Sequence, residues 1–217
     1  MNFTYCAIDL GISTNDRKIM TQEALDVPKD MWHFDDFRGT SILWVYNGGG
    51  KLKKHEVENH KQFYFTEAAK LMPHTTHILK TLVFPFMSPP GRVVILDTPK
   101  NTPLNIHLDS KEEEVGTRQH KFRIALEGIV NTLYFLNENN EKIYVPDSYN
   151  EYIMDGSHPH SIDPGERKVT LCIGAPWKGQ TTDSYENLIK KSPHSMTVGR
   201  PKIKKEWIDP RYDKKDR

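Results

Sequence analysis

His107-Leu108-Asp109 closes a β-rich run, and residues two apart on a strand share a face. An imidazole nitrogen and a carboxylate oxygen can therefore aim at one point. About fifty residues on, Met154-Asp155-Gly156-Ser157-His158-Pro159-His160-Ser161 brings further histidines between two strands, and Arg167 follows shortly after. Two histidines and one carboxylate on one side of a metal leave three adjacent coordination positions open. That arrangement suits Fe(II) when it must hold a bidentate keto acid and O2 together. Arg167 offers a planar, permanently charged fork for a carboxylate, as the far end of 2-oxoglutarate requires. A lone His-x-Asp arises readily by chance in a chain with ten histidines. The combination carries the reading. Spacing alone leaves both His158 and His160 open as the distal ligand.

The elements that must position these residues are mostly short strands. Val93–Leu96, Leu104–Leu108, Phe122–Leu126, Thr132–Leu136, Lys142–Val145, Glu151–Met154 and Val169–Ile173 are β-branched or aromatic runs separated by Asn, Gly, Pro or Asp. Such spacing predicts an antiparallel sandwich or barrel and not a βαβ sheet. Upstream, Ser41–Tyr46 reads as a strand ended by Asn47-Gly48-Gly49-Gly50, and the charged stretch 51–61 reads as an exposed loop. Phe65–Leu71 and Thr75–Phe84 read as helical, interrupted by Pro73 and stopped by Pro85, Pro89 and Pro90. Trp32, His33, Asp35, Asp36 and Arg38 read as a packed helix-to-strand junction, with a substrate lid as the alternative. Tyr134, Phe135 and Tyr144 read as core aromatics. Thr132 and Tyr134, sharing a strand face, and His158, near the entrance, are candidates to line a substrate site.

Composition sets wide bounds. With 217 residues, 36% hydrophobic and 27% charged, the expectation is one globular domain in a reducing, cytoplasmic setting. No run of 18 apolar residues is present, and Cys6 and Cys172 are too few for a thiolate metal site. Net charge is +1, which gives no general argument for nucleic acid. Residues 191–217 carry nine Lys/Arg against four Asp/Glu, and a solvated tail is the expected role of that end.

The segment Arg92–Ile173 resembles the aspartyl/asparaginyl β-hydroxylase group of 2-oxoglutarate- and Fe(II)-dependent oxygenases, including small bacterial free-proline hydroxylases. The matching text is Ile106-His107-Leu108-Asp109, Phe122-Arg123-Ile124-Ala125-Leu126, the Met154–Ser161 turn, and Arg167-Lys168-Val169-Thr170-Leu171. The resemblance implies a mainly β fold with flanking helices, a double-stranded β-helix of the jelly-roll, cupin-like kind. It implies His107, Asp109 and His160 as iron ligands, the register with Asp155 and Ser157 favouring His160 over His158. Arg167 would hold the 2-oxoglutarate side-chain carboxylate, and Arg123 would lie close to the cosubstrate; the alternative for Arg123 is pairing with Glu127 or with a neighbouring strand. His160 to Arg167 is shorter than the family's usual gap, so either the Asp163-Pro164-Gly165 turn is tight or Arg167 is not the anchor. Ala125 stands where the family often has a second histidine.

These observations predict a preface over residues 1–91, a catalytic β core over 92–178 and a helical or disordered basic tail over 179–217, within one structural domain. The implied activity is hydroxylation of an unactivated C–H in an amino acid or peptide side chain, using Fe(II), 2-oxoglutarate and O2, with ascorbate as an accessory reductant. Asp109 as ligand favours hydroxylation, because a small residue there would open a position for halide. The rival reading is a cupin-like module that binds a metal or small ligand without turnover.

Overall fold

The computed structural model describes residues 3–52, 62–87, 90–109, 120–128, 130–174 and 183–208. Most of the 51–61 stretch and the last nine residues of the basic tail lie outside them. In chain order the elements begin with β1 (Tyr5–Ala7), α1 (Thr14–Asp26), β2 (Trp32–Asp35), β3 (Thr40–Gly48), β4 (Phe63–Phe65), α2 (Glu67–Lys70) and α3 (Pro73–Ile78). Helix α3 runs on through a π turn at Leu79–Val83 and a 3-10 turn at Phe84–Phe86. Strands β5 (Val93–Thr98), β6 (His120–Glu127), β7 (Leu133–Leu136), β8 (Lys142–Tyr144), β9 (Glu151–Asp155), β10 (His160–Ile162) and β11 (Lys168–Ile173) follow. Helix α4 (Asp183–Lys190) and β12 (Ser195–Met196) come last.

Six of the seven strands expected after residue 92 are present within a residue or two of their expected bounds. The exception is Leu104–Leu108, where regular ladder pairing is replaced by two isolated bridges, His107 to His160 and Leu108 to Ile208. Helix α1 lacked a sequence signal. Its hydrophobic residues form no sustained stripe, and it is held by a Ser13–Asp16 capping box and by burial of Met20 and Ala24.

The strands form two sheets. The larger runs β12-β1-β9-β6-β11-β5-β3-β2, with β4 on the far end of β3, and the smaller runs β10-β7-β8. The large sheet therefore draws on strands from both sides of the expected 92–178 core. Strand β3 pairs with β5 over Ser41–Tyr46, and β1 lies between β9 and β12. The boundary at residue 92 is not one that the sheet respects, because the hydrogen-bonding edges of β5 and β9 are met by strands from the preface. On the C-terminal side, Leu108 N donates to the Trp207 carbonyl, which ties residue 207 to the small sheet.

Alternation gives the large sheet two faces. On one, Val93 and Ile95 of β5, Phe122, Ile124 and Leu126 of β6, and Val169, Leu171 and Ile173 of β11 pack with Met20, Ala68, Met72, Leu79, Tyr185 and Leu188 from the helical layer. On the other, residues 92, 94, 96 and 98, 121, 123, 125 and 127, and 168, 170, 172 and 174 face a cavity of about 300 Å3. The small sheet closes part of that cavity with Leu133 and His160. We expect Phe122→Ala, which empties a fully buried position beneath the helices, to cost about 3–5 kcal/mol in urea denaturation.

Candidate metal centre

His107, Asp109 and His160 converge. One ligand atom from each lies within 4.8 Å of the others, with His107 Nε2 3.7 Å from Asp109 Oδ1 and His160 Nε2 3.6 Å from Asp109 Oδ2. The bridge between residues 107 and 160, with backbone N–H to O bonds of 3.0 and 3.1 Å in both directions, sets the two imidazoles side by side. Asp109 N donates to the Gly156 carbonyl at 2.7 Å, which fixes the carboxylate on the same side.

The chemistry of the donors fits a metal. His107 Nδ1 lies 2.9 Å from the Asn105 carbonyl and His160 Nδ1 lies 2.8 Å from the His158 carbonyl. A carbonyl only accepts, so each Nδ1 carries the proton and each Nε2 presents its lone pair to the shared point. Burial pushes the His107 pKa down to about 4 and the His160 pKa down to about 3, so both rings are neutral at pH 7. For Asp109 burial acts to raise the pKa, but Lys121, His160, Arg123 and Arg38 outweigh it and hold the carboxyl well below its ordinary range. Ligand atoms on adjacent sites of an octahedral ion stand about 3 Å apart for bonds of roughly 2.1 Å. The separations here, 3.6 and 3.7 Å for the two histidine–aspartate pairs and within 4.8 Å for the set, are wider, so the side chains would draw together around an ion.

Three cations surround the carboxylate. Lys121 Nζ and Arg123 Nη2 each lie 3.1 Å from Asp109 Oδ2, and Arg38 Nη2 lies 3.3 Å from Oδ1. Lys121 reaches Asp109 between two glycines. A methyl on Gly156 would stand 3.1 Å from its Cε, and one on Gly174 would stand 3.4 Å away. Arg38 also contacts Asp35, on the edge strand β2, so it spans from one side of the cavity to the Asp109 carboxylate.

Arg123 faces the cavity, and among the described residues its ion pair is with Asp109 and not with Glu127. Arg167 does not reach the cavity. Its Nε and Nη2 donate to Asp97 at 2.8 and 2.9 Å, on the opposite face of the sheet. The reason is parity: in β11 the even residues point inward, so Lys168 lines the cavity and Arg167 is turned away. Tyr134 is likewise turned outward, packing with Leu136 and Trp207 while Leu133 faces in. The expectation that Tyr134 shares a face with Thr132 fails because β7 begins at Leu133, and Thr132 belongs to the preceding turn. Thr132 does line the cavity. His158 is no entrance residue. It is buried, with Nε2 2.7 Å from the Leu136 carbonyl, inside a turn in which Asp155 accepts from Ser157.

Sequence reasoning missed Lys121 and Lys168, and undervalued the 32–38 cluster, of which His33, Asp35 and Arg38 line the cavity. The two lysines were within reach of the alternation rule. Lys121 is two before Arg123, and Lys168 is in phase with Thr170 and Cys172. Lys168 Nζ has, among the described residues, one weak bond, 3.3 Å to the Glu166 carbonyl, and burial pushes its pKa down. Thr132 Oγ1 is buried and has no hydrogen-bond partner among the described residues. A methyl on Gly165 would stand 3.7 Å from both Lys168 Nζ and Thr132 Cγ2, so the two side chains border one space.

No protein-family model matches the sequence, and no curated protein matches it. Solved structures do match. A prolyl hydroxylase from Trichoplax adhaerens, in complex with a hypoxia inducible factor peptide fragment, has a TM-score of 0.54 at 11% identity, over 80% of this chain and 83% of that one. A prolyl-4-hydroxylase from Pseudomonas putida has a TM-score of 0.50 at 13% identity, over 80% and 92%. At these identities the likeness establishes a shared fold.

We expect His107→Ala and His160→Ala each to lose stoichiometric Mn(II) binding while keeping the native circular dichroism spectrum. His158→Ala should keep the metal and lose about 1–3 kcal/mol of stability, because the Leu136 carbonyl is left buried and unpaired. Loss of metal in His158→Ala alone would reassign the distal ligand.

Proposed function

We propose that this chain is an Fe(II)- and 2-oxoglutarate-dependent dioxygenase that hydroxylates an unactivated C–H of an amino acid or peptide side chain. One observation carries the reading. Two imidazoles and a carboxylate, their donor atoms oriented by local hydrogen bonds, meet at the wall of a cavity whose far end holds a lysine and a buried hydroxyl without a hydrogen-bond partner among the described residues. The fold shared with prolyl hydroxylases supports it. So does the sheet order, which we read as a double-stranded β-helix. Strands β9, β6, β11 and β5 form one four-membered layer, and the 107–108 bridge with β10, β7 and β8 forms the other. Placement within the aspartyl/asparaginyl β-hydroxylase group rests on the sequence motifs.

His107, Asp109 and His160 would hold Fe(II) and leave the remaining coordination positions open toward the cavity. An Fe(II) ion held there would supply activation of O2, which oxidises 2-oxoglutarate to succinate and carbon dioxide with one oxygen atom and the C–H to an alcohol with the other. The protein's share of the work is positioning and exclusion of water. Lys168 and Thr132 would bind the far carboxylate of 2-oxoglutarate through a charge-assisted and a hydroxyl hydrogen bond, the role that the sequence motif assigns to Arg167. Such a ligand would complete the donor capacity that both groups leave unused. Lys121, Arg123 and Arg38 keep Asp109 ionised and fix its orientation when it coordinates. Ile42, Leu96 and Ala125 give the cavity between the two ends an apolar wall.

Succinate release from 2-oxoglutarate with added Fe(II) and ascorbate tests the activity. Mn(II) binding without any succinate release would favour the non-catalytic binding module. Within the active protein, Lys168→Met should raise the apparent requirement for 2-oxoglutarate by about tenfold to a hundredfold, equivalent to a lost charged hydrogen bond of about 1.5–3 kcal/mol. Arg167→Ala should shift it by no more than about twofold, since its half-exposed pair with Asp97 contributes little. The reverse ranking would restore Arg167 as the anchor.

A further inference from the structure

We infer that the C-terminal segment from Val198 to Ile208 is a strap that positions the metal ligands, with Trp207 and Arg200 as its positioning residues. Docking of the strap and occupancy of the centre are then linked. The inference rests on the reading of His107, Asp109 and His160 as a metal centre. It holds whichever reaction that centre supports.

The first argument is the hydrogen bonding of the segment that carries two of the ligands. Successive N–H groups along an extended segment point to opposite edges. On one edge His107 N donates to the His160 carbonyl at 3.0 Å, and Asp109 N donates to the Gly156 carbonyl at 2.7 Å. On the other edge Leu108 N donates to the Trp207 carbonyl at 2.9 Å, and Leu108 forms a parallel bridge with Ile208. The ligand-bearing segment is thus an inner member of the smaller layer, between β10 and residues 207–208. A segment paired on one edge alone is free to roll about its axis. Rolling would carry the His107 ring and the Asp109 carboxylate, which share a face, away from His160. Pairing on both edges removes that freedom.

The second argument is packing. The Trp207 side chain is buried in a cluster with Tyr134 and Leu136 of β7, and Ile106 packs against the same cluster. Ile106 directly precedes His107. The indole therefore seats its own residue against the chain on which the first ligand stands, and the carbonyl of that residue takes the N–H between the two ligands. Lys204 Nζ lies 5.1 Å from the centroid of the indole, so a cation closes the solvent side of the ring. The outward turn of Tyr134 acquires a role here, as part of the surface on which Trp207 rests.

The third argument is the remaining ligand. Arg200 Nη2 donates to the Ser157 carbonyl, in the turn that leads to His160. On either side of it, the Gly156 carbonyl accepts from Asp109 N at 2.7 Å and the His158 carbonyl lies 2.8 Å from His160 Nδ1. The two outer carbonyls act on ligands directly, and Arg200 holds the one between them. Upstream, the strap is fastened by β12 against β1 and by Val198 N, which donates to Thr4 Oγ1 at 2.9 Å. Thr4 also accepts from Asp155 N through its carbonyl at 2.9 Å, so the same residue ties the strap to the start of the His160 turn. One continuous segment thus touches both parts of the chain that bear ligands. Ligand sets must be held to within about 0.5 Å. By linkage, a strap that favours the ligand geometry is favoured in turn by the bound ion.

Mn(II) titration of the full chain without 2-oxoglutarate, followed by electron paramagnetic resonance, tests the strap without turnover. We expect Trp207→Ala to weaken Mn(II) binding by about tenfold or more and to change the spectrum of the bound ion, while Trp207→Phe keeps both near wild type. Arg200→Gln should weaken binding by a smaller factor, because its side chain is exposed, and Arg200→Lys should restore it. Thermal melting of the metal-free proteins checks that each variant is folded. If Trp207→Ala does not fold, the Arg200 pair and digestion of the wild-type chain decide. In that digestion, Mn(II) should slow trypsin cleavage after the exposed Lys202, Lys204 and Lys205 and leave cleavage after Lys70, on the helical face, unchanged. His107→Ala should lose the protection. Unchanged Mn(II) affinity and spectrum in the folded variants overturn the proposal, as does a strap that Mn(II) fails to protect. A wild-type chain that binds no Mn(II) overturns the metal centre and the strap together. Mn(II) binding without succinate formation tells against the oxygenase reading alone.

Discussion

Taking a carboxylate out of water costs several kcal/mol even after the surroundings relax, unless charges and hydrogen bonds replace the lost hydration. Asp109 meets that condition with Lys121, Arg123 and Arg38 around its two oxygens and the neutral imidazoles of His107 and His160 beside them. The five partners come from three parts of the structure: Arg38 from the β2–β3 turn, Lys121 and Arg123 from strand β6, and His107 and His160 from the bridge at the edge of the small sheet. The buried carboxylate is thus the point through which the preface, the large sheet and the small sheet share one polar contact. A divalent ion would enter a centre whose anion is already ionised and oriented.

The same arrangement accounts for the sharp division of the large sheet. Strands with one face against helices and the other toward a cavity cannot tolerate a slip of one residue, because it would send Phe122 and Ile124 into the cavity and Arg123 into the core. Apolar packing against α1, α2, α3 and α4 therefore does more than stabilise. It sets the phase that delivers Lys121, Arg123 and Lys168 to the site. Strand β3 from the preface extends the cavity wall and contributes Trp44, Ile42 and Thr40.

The expectations that held and those that failed divide along this line. Strand positions after residue 92 followed from short β-branched runs between turn residues. The His107–Asp109 pair followed from side-chain alternation, and His160 from the family register. Arg167 was assigned by analogy with a motif, and the strand's phase gave its place to Lys168. Tyr134 was paired with Thr132 by alternation carried past the start of β7, where a turn breaks the period, and His158 was set at the entrance once the family register favoured His160. The 32–38 cluster reads as local polarity in the chain. Only its position on the sheet edge, with Arg38 extended to Asp109, makes it part of the cavity.

Sequence alone therefore determined which side chains are chemically able to hold a metal, and that short antiparallel strands carry them, since residue type and local period are properties of neighbouring residues. Tertiary structure decided which cations share the cavity with the ligands, which face Arg167 and Lys168 take, and how far the sheet extends into the first third of the chain. Those outcomes depend on pairing between strands distant in sequence and on which face the helices cover. Neither is written in any local stretch, because both are settled by burying apolar surface over the whole fold.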